Sequence, residues 1–377
     1  MITDAEIQAC CDKFGFSIST DIPADSARSS ALEVIDAIAG TLGQQTRNAF
    51  DEMLSIRTIF VDQMDINAYC IPLDRHRYLL VCDMGLFVAA QEMAFACFSY
   101  PTLYKVLLGQ PRIKSITPWM DFAEPIGMNW LSFNSLPLYN LQRNRFVQEN
   151  PEVKQPASIL TEMMLVAVLL HELGHAFDGH YGLTNTDQNI SEAGENFGKL
   201  ARGSAFKVIS EMRADEVSMR FLISTAFLFF NRWYGSTLQT PRRLYLWLIL
   251  ATTLNGIIWA WLDKKHTASP ESLASWVSHP SGRIRANGAV WSVLQGMDHA
   301  CADNHSLIAG ALDQLQLVRH LYELHPTTFN LLSTFHHPEE DTHIAAYRES
   351  IILPNLNRFE EITRDYQFQA ANGAWRD

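Results

Sequence analysis

His171-Glu172-Leu173-Gly174-His175 sets two imidazoles four residues apart with a carboxylate between them. On a helix, positions i and i+4 share a face one turn apart, so both rings can reach one metal ion. Glu172 is rotated about 100° from His171 around the axis. That sets its carboxylate beside the metal, where it takes a proton from water rather than serving as a ligand. With 13 His in 377 residues, chance supplies roughly 0.02 such motifs in the chain, too few to favour a pair of surface histidines.

Two histidines leave a zinc ion short of a third protein ligand. The leading candidate is Glu211, in Glu211-Met212-Arg213-Ala214-Asp215. Asp215 lies one turn further along the same face, placed to accept the free ring N–H of a ligand histidine and so fix its tautomer. Taken alone, this stretch would read as a solvated acidic face with Arg213 and Arg220 pairing locally. Glu192 and Glu195 are the fallback ligands. His180 is read as a residue at the site rim or helix cap: a continued helix would carry it about 180° away from His171. The spacing HExxHxxGxxH is missed by one, with Asp178 at the Gly position and Tyr181 at the His position.

These residues need two helices. Residues 158–177 hold no Pro and a single late Gly, Gly174, which predicts one mostly buried helix, with Gly179 as terminator. A second helix is expected over about 207–231. Residues 1–57 read as helical, with Leu32, Val34, Ile35, Ile38 and Leu42 on one face. Tyr78–Cys82 is a short apolar run suited to a strand. Segment 100–156 carries seven prolines and reads as irregular or as an insertion. A further amphipathic helix is expected around 304–324. His336–His343 reads as a solvated turn, and His266, His299, His305, His320 and His325 as structural.

The composition excludes several classes. Lys and Arg number 29 against 41 Asp and Glu, a net charge of −12, which disfavours nucleic acid as a partner. Six cysteines without CxxC spacing read as reduced, buried thiols of an intracellular protein. No secretory signal opens the chain, so the expected location is cytoplasmic. Charged residues make up only 19%, and the deficit gathers in the apolar stretches 158–170, 221–231 and 244–262. The last is long enough to span a bilayer, but Asn255-Gly256 near its middle favours a buried helix. Attachment to the inner face of a membrane is the alternative. No Walker loop, GxGxxG or GxSxG occurs, so nucleotide and serine-hydrolase chemistry have no support.

Three segments taken in order, HELGHAFDGH, EMRADEVSMRFL and Ser278-His279-Pro280-Ser281-Gly282-Arg283-Ile284-Arg285, resemble the gluzincin endopeptidases of the HtpX, Oma and BepA type. Those enzymes carry HExxHxxxxH, an ExxAD helix and a later THP or SHP segment followed by an Arg. The resemblance, over roughly 158–290, implies one zinc ion held by His171, His175 and Glu211. It implies Glu172 as general base and Asp215 as support for a ligand His. It places His279 near the metal, to steady an oxyanion or block the open position, with Arg283 fixing that loop. RYLLVCDMGLF is similar to the family's strand–turn element. A slighter resemblance, limited to the motif, is to phage-exclusion proteases of the Lit type.

The expectation is therefore a mainly α (α+β) protein with a zincin-like core, a small sheet and a long N-terminal extension. Residues 1–156 would form a helical and irregular region, 157–300 the metallopeptidase core, and 301–377 a C-terminal helical region. The expected activity is zinc-dependent hydrolysis of peptide bonds in an intracellular protein or peptide substrate. A silent metal-binding regulatory protein is the competing reading.

Overall fold

The computed structural model describes residues 2–20, 26–99, 136–183, 197–233, 247–256, 258, 349 and 352–370. The described chain is mainly helical with one small three-stranded sheet. Helix α1 (Asp4–Phe14) starts at a capping box in which Thr3 and Glu6 satisfy each other's backbone N–H. Helix α2 (Ala27–Gln45) is capped by the Ser26 hydroxyl and buries Ala31, Val34, Ile35, Ile38 and Leu42, the stripe that its helical periodicity predicts. The other described residues of 1–57 depart from the helical expectation. Short β1 (Thr46–Arg47) follows α2, and β2 (Ser55–Val61) begins soon after.

Strand β3 (Ala68–Pro72) and strand β4 (Arg77–Asp83) complete the sheet, in the order β2-β4-β3. β4 pairs in parallel with β2 and antiparallel with β3. Its centre, Tyr78–Cys82, is continuously apolar because both faces are covered. Leu79 and Val81 pack on α1 through Ile7, Cys10 and Cys11, whereas Tyr78, Leu80 and Cys82 join the main core.

Helix α3 (Met84–Ser99) leaves β4 directly, and α4 (Leu136–Glu149) lies against it. The helix at α4 corrects the irregular reading of this part of 100–156. Pro137 sits in its first turn, where the missing N–H costs nothing, and Pro151 opens a short 3-10 turn beyond it. Helix α5 (Lys154–Phe177) is the central element, packed by α2, α3 and β3, and crossed by the long α6 (Phe197–Trp233). Of the stretch 244–262, residues 247–256 form α7 and are buried in the core, where Asn255 donates to the Met164 carbonyl of α5 at 3.0 Å. Among the described residues, Pro151–Phe177 alone is long and apolar enough to cross a membrane, and it is almost wholly buried.

Helix α8 (Leu353–Thr363) packs on α6, and β5 (Gln369–Ala370) pairs antiparallel with β1. One apolar cluster runs from Ala31 through α5 and α7 to Phe368. The described parts of the three expected regions thus share a core.

Candidate metal centre

α5 carries His171, Glu172 and His175, and α6 carries Ser210, Glu211, Arg213 and Asp215. Gly174 lets the two helices meet. A Cβ there would stand 2.7 Å from the Ala214 carbonyl oxygen and 2.9 Å from its Cα, both immovable backbone atoms. At this crossing the face bearing both imidazoles lies against the face bearing both carboxylates.

His171 Nδ1 is 2.8 Å from Asp215 Oδ1. A carboxylate there holds the ring proton on Nδ1 and leaves the Nε2 lone pair facing inward. His171 Nε2 lies 3.2 Å from Glu211 Oε2 and 3.1 Å from His175 Nε2. His175 Nε2 lies 3.5 Å from Glu211 Oε1. Two imidazole nitrogens and a carboxylate therefore converge. For ligand atoms about 2 Å from a tetrahedral zinc, the edge between any two is about 3.3 Å, and the three separations bracket that value. The donor set thus fits one zinc ion.

Glu172 is buried. One carboxylate oxygen lies within 4.8 Å of a donor nitrogen of each histidine. The charge of Glu172 reaches the thiols of Cys70 on β3 and Cys82 on β4. Both thiols are raised well above their ordinary range, first by burial and then by nearby carboxylates, Glu172 among them.

α5 stops at Phe177, and Gly179 turns the chain with φ 74°. The left-handed turn suits Gly, and space demands it as well. A Cβ on Gly179 would meet Gln367 N at 2.6 Å and Thr363 O at 2.7 Å, so the C-terminal segment seats directly on this turn. The reversal brings His180 back onto His175, with the two Nδ1 atoms 2.6 Å apart. His180 thus caps the end of α5, its backbone N–H on the His175 carbonyl at 3.2 Å, with its ring behind His175 and buried against Phe359 of α8.

Three residues outside the expected set complete this network. Ser210 Oγ is 2.8 Å from His180 Nδ1 and 3.3 Å from His175 Nδ1. Asp178 Oδ2 is 3.4 Å from His180 Nε2, and Arg213 donates to Asp178 at 3.0 and 3.3 Å. Burial would raise the Asp178 carboxyl, but hydrogen bonds from His180 and Arg213 outweigh it and hold the group below its usual range. Arg213 therefore reaches across to the turn, whereas Arg220 pairs locally with Glu216 at 2.5 Å. An Asp three residues past the second His of the motif was the available signal for this anchor.

Glu192, Glu195, His279 and Arg283 lie outside the described residues, as do 304–324 and 336–343. No family model, curated protein or solved structure matches the chain.

Proposed function

We propose that this chain is a zinc-dependent endopeptidase with a gluzincin-type zincin core, hydrolysing peptide bonds of a protein or peptide substrate. His171, His175 and Glu211 would hold the ion, and Glu172 is the general base. The observation that carries the reading is the convergence of two imidazole Nε2 atoms on the Glu211 carboxylate. A second carboxylate, Glu172, stands alongside them.

A zinc ion in such a donor set polarises a carbonyl and acidifies water. Glu172 takes the proton from the attacking water and passes it to the leaving amine. Its burial keeps that transfer away from bulk solvent. Asp215 keeps the His171 ring in register by holding its Nδ1 proton. The sheet offers a seat for substrate. β4 is the central strand, so the RYLLVCDMGLF element cannot be an edge, and among the described residues the outer edge of β3 pairs with no other strand. An extended peptide added along β3 would run past Cys70 and hence past Glu172. His279 and Arg283 join the proposal on the resemblance alone, as a loop that steadies or covers the site. The intracellular, cytoplasmic setting belongs to the same proposal.

Glu172→Gln tests the reaction directly. Hydrolysis of unfolded protein substrates should fall about 10²–10⁴-fold, the usual weight of a general base, with zinc retained at wild-type stoichiometry. Glu211→Ala should lose the metal. Cleavage by Glu172→Gln at the wild-type rate would sink the enzymatic reading, and zinc bound by an inactive wild-type chain would favour the regulatory one.

A further inference from the structure

The two candidate ligand histidines are supported from behind in different ways. His171 has a carboxylate at Nδ1, whereas the Nδ1 of His175 meets another imidazole and a hydroxyl. An imidazole partner is ambiguous, because a proton between two Nδ1 atoms can belong to either ring. If it sat on His180, His175 would carry its own proton on Nε2 and present an N–H to the metal position. Something further along must decide.

Asp178 does so. Its carboxylate accepts only, and it lies 3.4 Å from His180 Nε2. No hydrogen bond is formed at that separation, but the carboxylate's charge favours the ring proton of His180 on Nε2, which makes Nδ1 the acceptor. His175 must then donate from Nδ1, and its Nε2 lone pair is left facing Glu211 and His171. The Ser210 hydroxyl, within reach of both Nδ1 atoms, can accept from one and donate to the other. Arg213 holds Asp178 in place and keeps it ionised.

We infer that His180 is a positioning residue which, oriented by Asp178, sets the tautomer of His175 and so makes its Nε2 a metal ligand. The inference rests on the zinc reading of the site, and it adds two residues, His180 and Asp178, whose work is done on a ligand rather than on substrate.

The test is zinc affinity by competition with a chromophoric chelator, together with the visible absorption bands of the cobalt(II)-substituted protein. His180→Phe keeps the ring shape and removes both nitrogens. It should weaken zinc about 10–100-fold, the usual scale for such supporting partners, and shift the cobalt bands. His180→Asn restores an acceptor near the Nδ1 position and should recover most of the affinity. Asp178→Asn is nearly isosteric but can offer an N–H to His180 Nε2. That favours the wrong tautomer of both rings, so it too should weaken zinc about tenfold or more. This variant decides the matter if His180→Phe fails to fold. Wild-type affinity and cobalt bands in Asp178→Asn and in any folded His180→Phe would overturn the inference and leave the zinc site standing. A wild-type chain that binds neither metal would overturn both.

Discussion

Asp178 and Asp83 are both buried aspartates, 4% and 0% exposed, and they sit in opposite electrostatic situations. Asp178, behind the histidine cluster, is held below its usual pKa by His180 and Arg213 against the cost of burial. Asp83, at the end of β4, is pushed up to about 7, by burial first and by Asp65 second. The Tyr69 hydroxyl reaches it at 3.4 Å, and its Oδ1 has no hydrogen-bond partner. Both are shielded from solvent, and what differs is the partner supplied. Glu92 on α3 shows how weakly a single partner can act. It bonds Arg143, yet burial still raises it to about 7. Among these carboxylates only Asp178, next to the candidate metal centre, has donors enough to keep its charge under burial.

The largest break in this comparison comes from Arg213→Ala. It leaves Asp178 buried beside His180 without its two hydrogen bonds from Arg213, and removing one member of a buried pair typically costs 3–5 kcal/mol. Because Arg213 is 36% exposed, a loss of about 3 kcal/mol is expected in denaturant unfolding at neutral pH. A loss under about 0.5 kcal/mol would mean that Arg213 is an ordinary surface ion pair and that Asp178 owes its charge to something else.

Gly174→Ala comes next. The added Cβ meets backbone of α6, not a side-chain end that could swing aside. The helices must separate by some tenths of an ångström, with a cost of about 1–3 kcal/mol typical of overpacking. Separation also moves Glu211 and Asp215 away from the histidines, so zinc affinity should fall together with stability. Unchanged affinity in a destabilised variant would show that the crossing can open without disturbing the donor set.

What was legible in the sequence follows the reach of each interaction. The motif helix, its i, i+4 histidines and the Glu211–Asp215 face were legible because helical periodicity is local and repeats over many residues. The buried strand at Tyr78–Cys82 showed for a similar reason: a central strand covered on both faces is a continuous apolar run. β3 was not, because Ala68–Pro72 is short and half-buried throughout, with no alternation to read. The capping seat of His180 agrees with the reading from the sequence, its N–H closing on the His175 carbonyl at 3.2 Å. Its ring contact with His175 was not legible, because an ideal helix continued past Phe177 sends it to the far side, whereas the left-handed Gly179 folds it back. Nothing near residue 179 in the sequence announces that Thr363 and Gln367 will press on that turn. The prolines of 100–156 suggested loop, but a proline in a helix's first turn is compatible with α4.

The smallest effect expected is at the other end of the comparison, and it is a change of slope. In the unfolded chain Asp83 titrates near 3.9, whereas in the fold it titrates at about 7. Between those values the folded state binds the extra proton, so stability falls as pH rises from about 4 to about 7 and levels off above. Asp83→Asn carries no proton to lose and should remove its share of that slope, leaving the part that Glu92, also raised to about 7, contributes, while matching the wild type near pH 4. At pH 8 the variant should be the more stable by an amount on the order of 1 kcal/mol. That is less than the full shift implies, since the ionised carboxylate relaxes toward the Tyr69 hydroxyl and the amide is itself a polar group to bury. Unfolding free energies at pH 4, 6 and 8 measure this directly. An Asp83→Asn variant that keeps the full wild-type slope would mean that Asp83 is ionised and well partnered in the fold over this range, and the contrast with Asp178 would collapse.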